Sequence, residues 1–222
     1  LAKIWMHVGM ITINSEKMSK SLKNMILLKN ALKKWGSNVL RLYLISSQYS
    51  KPIDYNDEIL NESLQKWRQI EHCVFELRTT KNVSGGNDQF ENKCHNYLDI
   101  FTSFLDNNLN TPGALGTFME LVSYINSISS SEELTSAMSN RVLPILSTMM
   151  NIIGIKIDEI DTNMKTQIEK MIYQRNNLRA EKKYKDADEL RSKIFDLYNV
   201  ELTDHSTYTS WKKKEIVEFD EK

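Results

Sequence analysis

The sequence predicts a mainly α chain, and three observations predict it. Apolar residues recur at helical spacing through most of its length, as in Leu60, Leu64, Trp67, Ile70 and Phe75. Only three Pro and seven Gly stand among 222 residues, so little interrupts a helix. Capping residue types (Ser37, Asn56 or Asp57, Thr111, Ser131) precede the periodic runs.

In chain order, residues 4–14 are rich in β-branched and aromatic side chains and end in a polar turn, which predicts a strand or hairpin. Residues 15–24 are polar, without strong periodicity, and predict a loop. Leu27, Leu28, Ala31, Leu32 and Trp35 fall on one helix face, and Gly36 is a natural stop. Ser37 is expected to cap a second helix to about Ser47, before Pro52 breaks the chain. A long helix is expected from Asn56 or Asp57 to about Thr80, followed by a flexible linker at 81–87. Helices at 88–106, 112–129 and 132–153 come next, the second capped by Thr111 with Pro112 in its first turn. The third is expected to be capped by Ser131, to carry Glu132 and Glu133 against its dipole, and to kink at Pro144. Helices at about 163–182 and 185–198 precede a strand-like tail at 199–212.

The composition, 41% hydrophobic and 26% charged, is that of a soluble globular chain, and no apolar run reaches the ~18 residues of a membrane span. Two isolated cysteines, Cys73 and Cys94, give no C-x-x-C pair and fit a reducing, cytoplasmic setting as small buried apolar residues. No signal peptide opens the chain, and its start at Leu1, directly in dense apolar sequence, reads as a cut inside a larger protein. The zero net charge hides an asymmetry. Residues 1–51 hold nine Lys/Arg and one acid, whereas residues 52–163 hold seven bases and sixteen acids. A basic block ahead of an acidic body fits an anionic ligand at the front, or a merely solvated charged face.

Lys17-Met18-Ser19-Lys20-Ser21 is the segment that carries chemistry: it resembles the signature loop of the class I aminoacyl-tRNA synthetases, which implies ATP-dependent activation of an amino acid. When an amino-acid carboxylate attacks the α-phosphorus of ATP, negative charge grows on the departing pyrophosphate, and a cation held there stabilises the transition state above the ground state. Lysine is a compact charge on a flexible stem. Two lysines three apart on a tight turn can face one polyphosphate, with Ser19 and Ser21 as short donors and Met18 as an apolar anchor. A mobile loop can close over ATP and reopen for product. Lys20 is the expected main contact and Lys17 its helper.

The five residues fit the KMSKS signature of class I aminoacyl-tRNA synthetases, and the flanks make the resemblance more specific. Trp5-Met6-His7-x-Gly9, Glu16 through Leu22, Asn38-Val39-Leu40-Arg41-x-Tyr43-Leu44 and Tyr49 through Tyr55 resemble the cysteinyl-tRNA synthetases. So do Asp106 through Ala114, Lys185-Asp186-Ala187-Asp188-x-Leu190-Arg191, Val200-x-Leu202-x-Asp204 and Thr209-x-Trp211. These matches run in the family's order over residues 3–213. Two departures stand out: Lys23 where the family has Gly after Ser-Leu, and Tyr208 where it has Gly before Thr-x-Trp.

The resemblance implies the end of a class I Rossmann-type catalytic domain at 1–25, stem-contact helices at 26–80, a helical bundle at 88–160 and a small C-terminal α/β anticodon-recognition module at 163–222. It implies ATP, Mg2+, cysteine and tRNA(Cys) as ligands, with Lys17, Met18, Ser19, Lys20, Ser21, His7 and Gly9 around ATP. The family's His-Ile-Gly-His motif and its zinc ligands (two Cys, a His and a Glu) are absent from the sequence. Zn2+ would therefore be held by the remaining N-terminal part of the catalytic domain, and this chain alone is expected not to activate cysteine. Lys29, Lys33, Lys34, Arg41 and Lys51 are candidate phosphate contacts, or simply helix-surface charges. Trp211 beside Lys212 and Lys213, with Tyr208, is either a stacking platform for unpaired bases or a tail packed on the last helix pair. The aromatics of the acidic middle (Trp67, Phe75, Tyr97, Phe101, Phe118) are expected to be core. Two other readings compete: another class I ligase, and a non-catalytic tRNA-binding module.

Overall fold

The computed structural model describes residues 3–13, 15–19, 21–22, 24–83, 85–157, 161–204 and 209–213, with only the backbone for Thr162, Ser210, Lys212 and Lys213. Strand β1 (Ile11–Ile13) turns back antiparallel onto β2 (Glu16–Lys17), with Ile13 opposite Glu16 and Ser15 at φ 66° in the turn. The expected strand over 4–14 is thus realised only in its last residues. Residues 4–10 have no regular structure, and Ile4, Trp5, Met6, Val8 and Met10 are exposed there. Strand propensity expresses fit to a half-covered pleated surface, and the described residues supply no such surface for this segment.

Helix α1 (Leu28–Trp35) ends at Gly36, whose φ of 77° favours glycine. Only Ala31 and Trp35 of its apolar face are buried, while Leu28 and Leu32 stay open. In α2 (Ser37–Ile45), Ser37 is the first helical residue rather than the cap, since Gly36 occupies the cap position with no side-chain bond. A two-residue strand, β3 (Ile53–Asp54), pairs parallel with β1, giving the order β2-β1-β3. It is too short to show alternation, so the sequence carried no sign of it.

Helix α3 (Asp57–Thr79) is capped by Asn56, whose Oδ1 accepts from the Ile59 amide at 2.9 Å. Helix α4 (Asp88–Asp106) is capped by Asn87. Helix α5 (Thr111–Ser130) is capped by Asn110 rather than Thr111, with Pro112 in its first turn. Helix α6 (Ser136–Ile153) starts four residues later than expected, capped by Thr135, and runs through Pro144. Ser131 is drawn into the end of α5 instead, its amide bonded to the Ser127 carbonyl. The segment before α4 is tied down rather than free. Thr80 Oγ1 donates to the Leu134 carbonyl, the Ser136 amide to the Asn82 carbonyl, and Thr135 Oγ1 to the Gly85 carbonyl.

One apolar core runs from Ala31 to Ile155 through α1–α6, so segments 26–80 and 88–160 share it. Trp67, Phe101 and Phe118 are in it as expected, and Tyr97 lies half-buried at its edge. Cys73 and Cys94 are fully buried in the same core. Desolvation pushes the Cys94 thiol up to about 12 and that of Cys73 higher still, which leaves both unreactive. A second core joins α7 (Thr162–Ala180), α8 (Tyr184–Tyr198) and the hairpin β4 (Val200–Asp204) and β5 (Thr209–Lys213). Phe75 of α3 reaches into it, so α3 belongs to both cores. Among the described residues no helix is long and apolar enough to cross a membrane.

Candidate nucleotide and RNA contacts

The loop that follows β2 is closed by one side chain. Asn24 Oδ1 accepts from the Ser19 amide at 2.9 Å, and its Nδ2 donates to the Lys17 carbonyl at 3.3 Å. Ser19 Oγ lies 3.1 Å from Ser21 Oγ and accepts from the Leu22 amide at 3.3 Å. Lys17 is exposed, while Met18 and Ser19 are half-buried, in keeping with an anchoring Met. Lys20 and Lys23 lie outside the described residues. Asn24 escaped sequence reasoning; its only signal is an amide side chain next to a turn, where Asn substitutes for backbone partners.

His7 is exposed and Gly9 half-buried. The Gly9 amide donates to the Tyr49 carbonyl at 2.7 Å, and a Cβ at Gly9 would stand 2.0 Å from the Lys51 carbonyl oxygen. Glycine is required because two backbones cross there. The turn being crossed is held from the other side by Asn108, which accepts from Tyr49 Oη through Oδ1 and from Gln48 Nε2 through its carbonyl, both at 3.0 Å. The Asp106–Ala114 stretch thereby supports the segment that carries Gly9.

The basic patch divides. Lys29, Lys33, Arg41 and Lys51 are exposed, the guanidinium of Arg41 lying over Gly154 at the end of α6. Lys34 is paired with Asp57 at 2.9 Å in an exposed ion pair and lies 4.8 Å from the Trp35 ring centroid.

Trp211 is 3% exposed and packs against Phe75, with ring centroids 6.2 Å apart. The indole is thus packed rather than open, against α3 as well as within the core of the last helix pair. Tyr208 and the side chains of Lys212 and Lys213 lie outside what is described. Among the described residues the most open aromatics of this module are Tyr173, 68% exposed on α7, and Tyr184, 59% exposed at the start of α8 beside Lys182, Lys183 and Lys185, with Phe195 of α8 less so. Helical spacing alone did not separate these tyrosines from core positions. Below them, the buried Arg175 grips Asp204 with two bonds of 2.8 Å. That guanidinium, with help from Thr209 and Arg179, holds the Asp204 carboxyl well below the usual range.

Among the described residues no three His, Cys, Asp or Glu side chains converge as a metal site, and both cysteines are sealed in the core. The described residues do not fit a zinc centre.

The sequence matches the family model for the class I (C) tRNA synthetase catalytic domain over residues 1–65. Cysteine–tRNA ligases are similar along nearly the whole chain. That of Coxiella burnetii (strain Dugway 5J108-111) is 33% identical over 219 residues, covering 96% of this chain and 45% of the relative. That of Carboxydothermus hydrogenoformans is 30% identical over 217 residues, covering 96% and 46%. That of an Exiguobacterium species is 28% identical over 216 residues, covering 96% and 46%. The chain thus spans about half the length of the curated relatives it matches.

Proposed function

We propose, for a chain related along 96% of its length to the cysteine–tRNA ligases, that it serves ATP-dependent ligation of cysteine to tRNA(Cys) through a cysteinyl-adenylate. The observation that carries this reading is the Lys17-Met18-Ser19-Lys20-Ser21 sequence inside the matched residues 1–65, with Asn24 bonding the Ser19 amide and the Lys17 carbonyl between a hairpin and an amphipathic helix. Lys17 and Lys20 meet the polyphosphate of ATP, and their charge counts most as pyrophosphate departs. Asn24 ties the Ser19 amide to the Lys17 carbonyl and so keeps the described part of the turn compact. Mg2+ accompanies ATP on its phosphates, and no residue of this chain is assigned to it. Zn2+ belongs to the remaining part of the catalytic domain. The exposed apolar front, including Ile4, Trp5, Met6 and Leu28, is the seat for that part; the chain alone, which carries neither the His-Ile-Gly-His motif nor the zinc ligands, is proposed not to activate cysteine. The setting is the cytoplasm.

Lys29, Lys33, Arg41 and Lys51 then face tRNA phosphates. In the C-terminal module Tyr173 and Tyr184, flanked by Lys182 and Lys185, take the base-stacking role that buried Trp211 does not offer. The test is transfer of labelled cysteine to a tRNA(Cys) transcript by the full-length gene product. Charging that requires ATP and cysteine supports the reading; charging with another amino acid in preference, or tRNA binding without any charging, replaces it with one of the competing readings.

A further inference from the structure

Asp54 joins three parts of the molecule. Its Oδ1 accepts from Thr12 Oγ1 in β1 at 2.7 Å and from the Ser15 amide, in the β1–β2 turn, at 2.8 Å. Its Oδ2 accepts from Asn56 Nδ2 at 3.2 Å, and Asn56 Oδ1 in turn caps α3. Ser15 sits at φ 66°, two residues before Lys17. The hairpin that delivers the lysine loop is only a three-residue strand against a two-residue one. β3 pairs with β1 on its other side, but among the described residues β2 has no strand partner except β1, and two pairings alone hold it weakly.

We propose that Asp54 is the positioning residue of the lysine loop: one carboxylate locks the hairpin turn to the N-terminus of the longest helix and so sets where Lys17 and the residues after it are presented. This rests on the ligase reading above and adds a residue to it. The chemistry suits the role. A carboxylate accepts several bonds at once, and bonds to an ionised acceptor are about twice as strong as neutral ones. The Ser15 amide, then Thr12, hold the Asp54 carboxyl below its ordinary range, so it is ionised wherever the enzyme would work. Tyr43 lies beneath with its hydroxyl buried; desolvation first, then the Asp54 charge, pushes it up to about 12, so it adds no competing charge. Asp54 bonds Thr12, Ser15 and Asn56 rather than Lys17, and acts on the loop through Ser15.

The test compares Asp54→Ala, Asp54→Asn and Thr12→Val in the full-length gene product by cysteine-dependent ATP–pyrophosphate exchange, with amide exchange at Ser15 as a second readout. Asp54→Ala is expected to lower kcat at least tenfold while the KM for ATP stays within about twofold, and to speed Ser15 amide exchange, because loop placement matters most in the transition state. Asp54→Asn retains an Oδ1 that can accept from both Thr12 and Ser15, but its Nδ2 cannot accept from Asn56 Nδ2, and it is expected to fall clearly less than Asp54→Ala. Thr12→Val, nearly isosteric and removing one donor, is expected to fall between them, which keeps the test decisive should Asp54→Ala fold poorly. Wild-type-like kcat in Asp54→Ala and Thr12→Val, with Ser15 exchange accelerated, would overturn the proposal and leave the ligase reading intact. A wild-type protein that performs no cysteine-dependent exchange would overturn both.

Discussion

The front of the molecule and its helical body are built on opposite principles. In the body, α3–α6 bury aromatic and aliphatic side chains almost completely; Phe118, Phe101, Ile70 and Leu121 have no exposed surface. In the front, residues 3–32 leave Trp5 73%, Ile4 86% and Leu28 68% exposed, and polar clasps of single side chains, Asn24 and Asp54, set the local geometry. A packed core fixes position through many contacts, each small; a clasp fixes it through a few directional bonds that can be released. The second arrangement suits a loop that has to move, and the first suits the scaffold it moves against.

The sharpest way to break this contrast is to truncate a body aromatic. Phe118→Ala is expected to cost about 3–5 kcal/mol in urea denaturation. A cost below about 1 kcal/mol would mean that the body is not the rigid half. A smaller effect is expected in the second core. Arg175→Ala leaves Asp204 without its bidentate partner and is expected to cost about 3 kcal/mol, the low end for a buried pair because Asp204 stays about a third open to water. The same pair sets an acid limit. Asp204 has a folded-state value below its ordinary 3.8, so its stabilisation is complete above that pH, shrinks below it and is gone once pH falls through the folded value. Stability measured from pH 6 to pH 2 should drop below about 4 in wild type and less steeply in Arg175→Ala. The smallest effect is expected at the front: Trp5→Ala should change stability of this chain by no more than about 0.5 kcal/mol, despite removing the largest kind of side chain. A loss of several kcal/mol there would show that the front is packed after all.

The helical body was legible because periodicity and caps are local. Leu60, Leu64, Trp67, Ile70 and Phe75 announced α3 and proved buried, and its start was readable as Asn56 or Asp57, of which Asn56 is the cap. What failed were choices between adjacent capping types, Asn110 against Thr111 and Thr135 against Ser131, which depend on where the preceding helix ends in space. β3 was illegible because its partner, β1, lies forty residues away in sequence and the strand is only two residues long. In the candidate site, the lysine–serine signature and Gly9 were readable as motifs. The clasps were not, because an Asp or Asn that bonds a backbone amide looks in sequence like any turn residue. Trp211 shows the converse: an aromatic beside lysines reads equally well as a stacking platform or as core, and only packing against Phe75 decides between them.

The account stands on cations meeting the pyrophosphate as it leaves. The direct measurement is the rate of cysteine-dependent ATP–pyrophosphate exchange by the full-length gene product carrying Lys20→Ala, and separately Lys17→Ala. The expected result is a fall in rate of about 10²–10³ for Lys20 and a smaller fall for Lys17, with cysteine affinity unchanged. Rates within about twofold of wild type for both variants would contradict it.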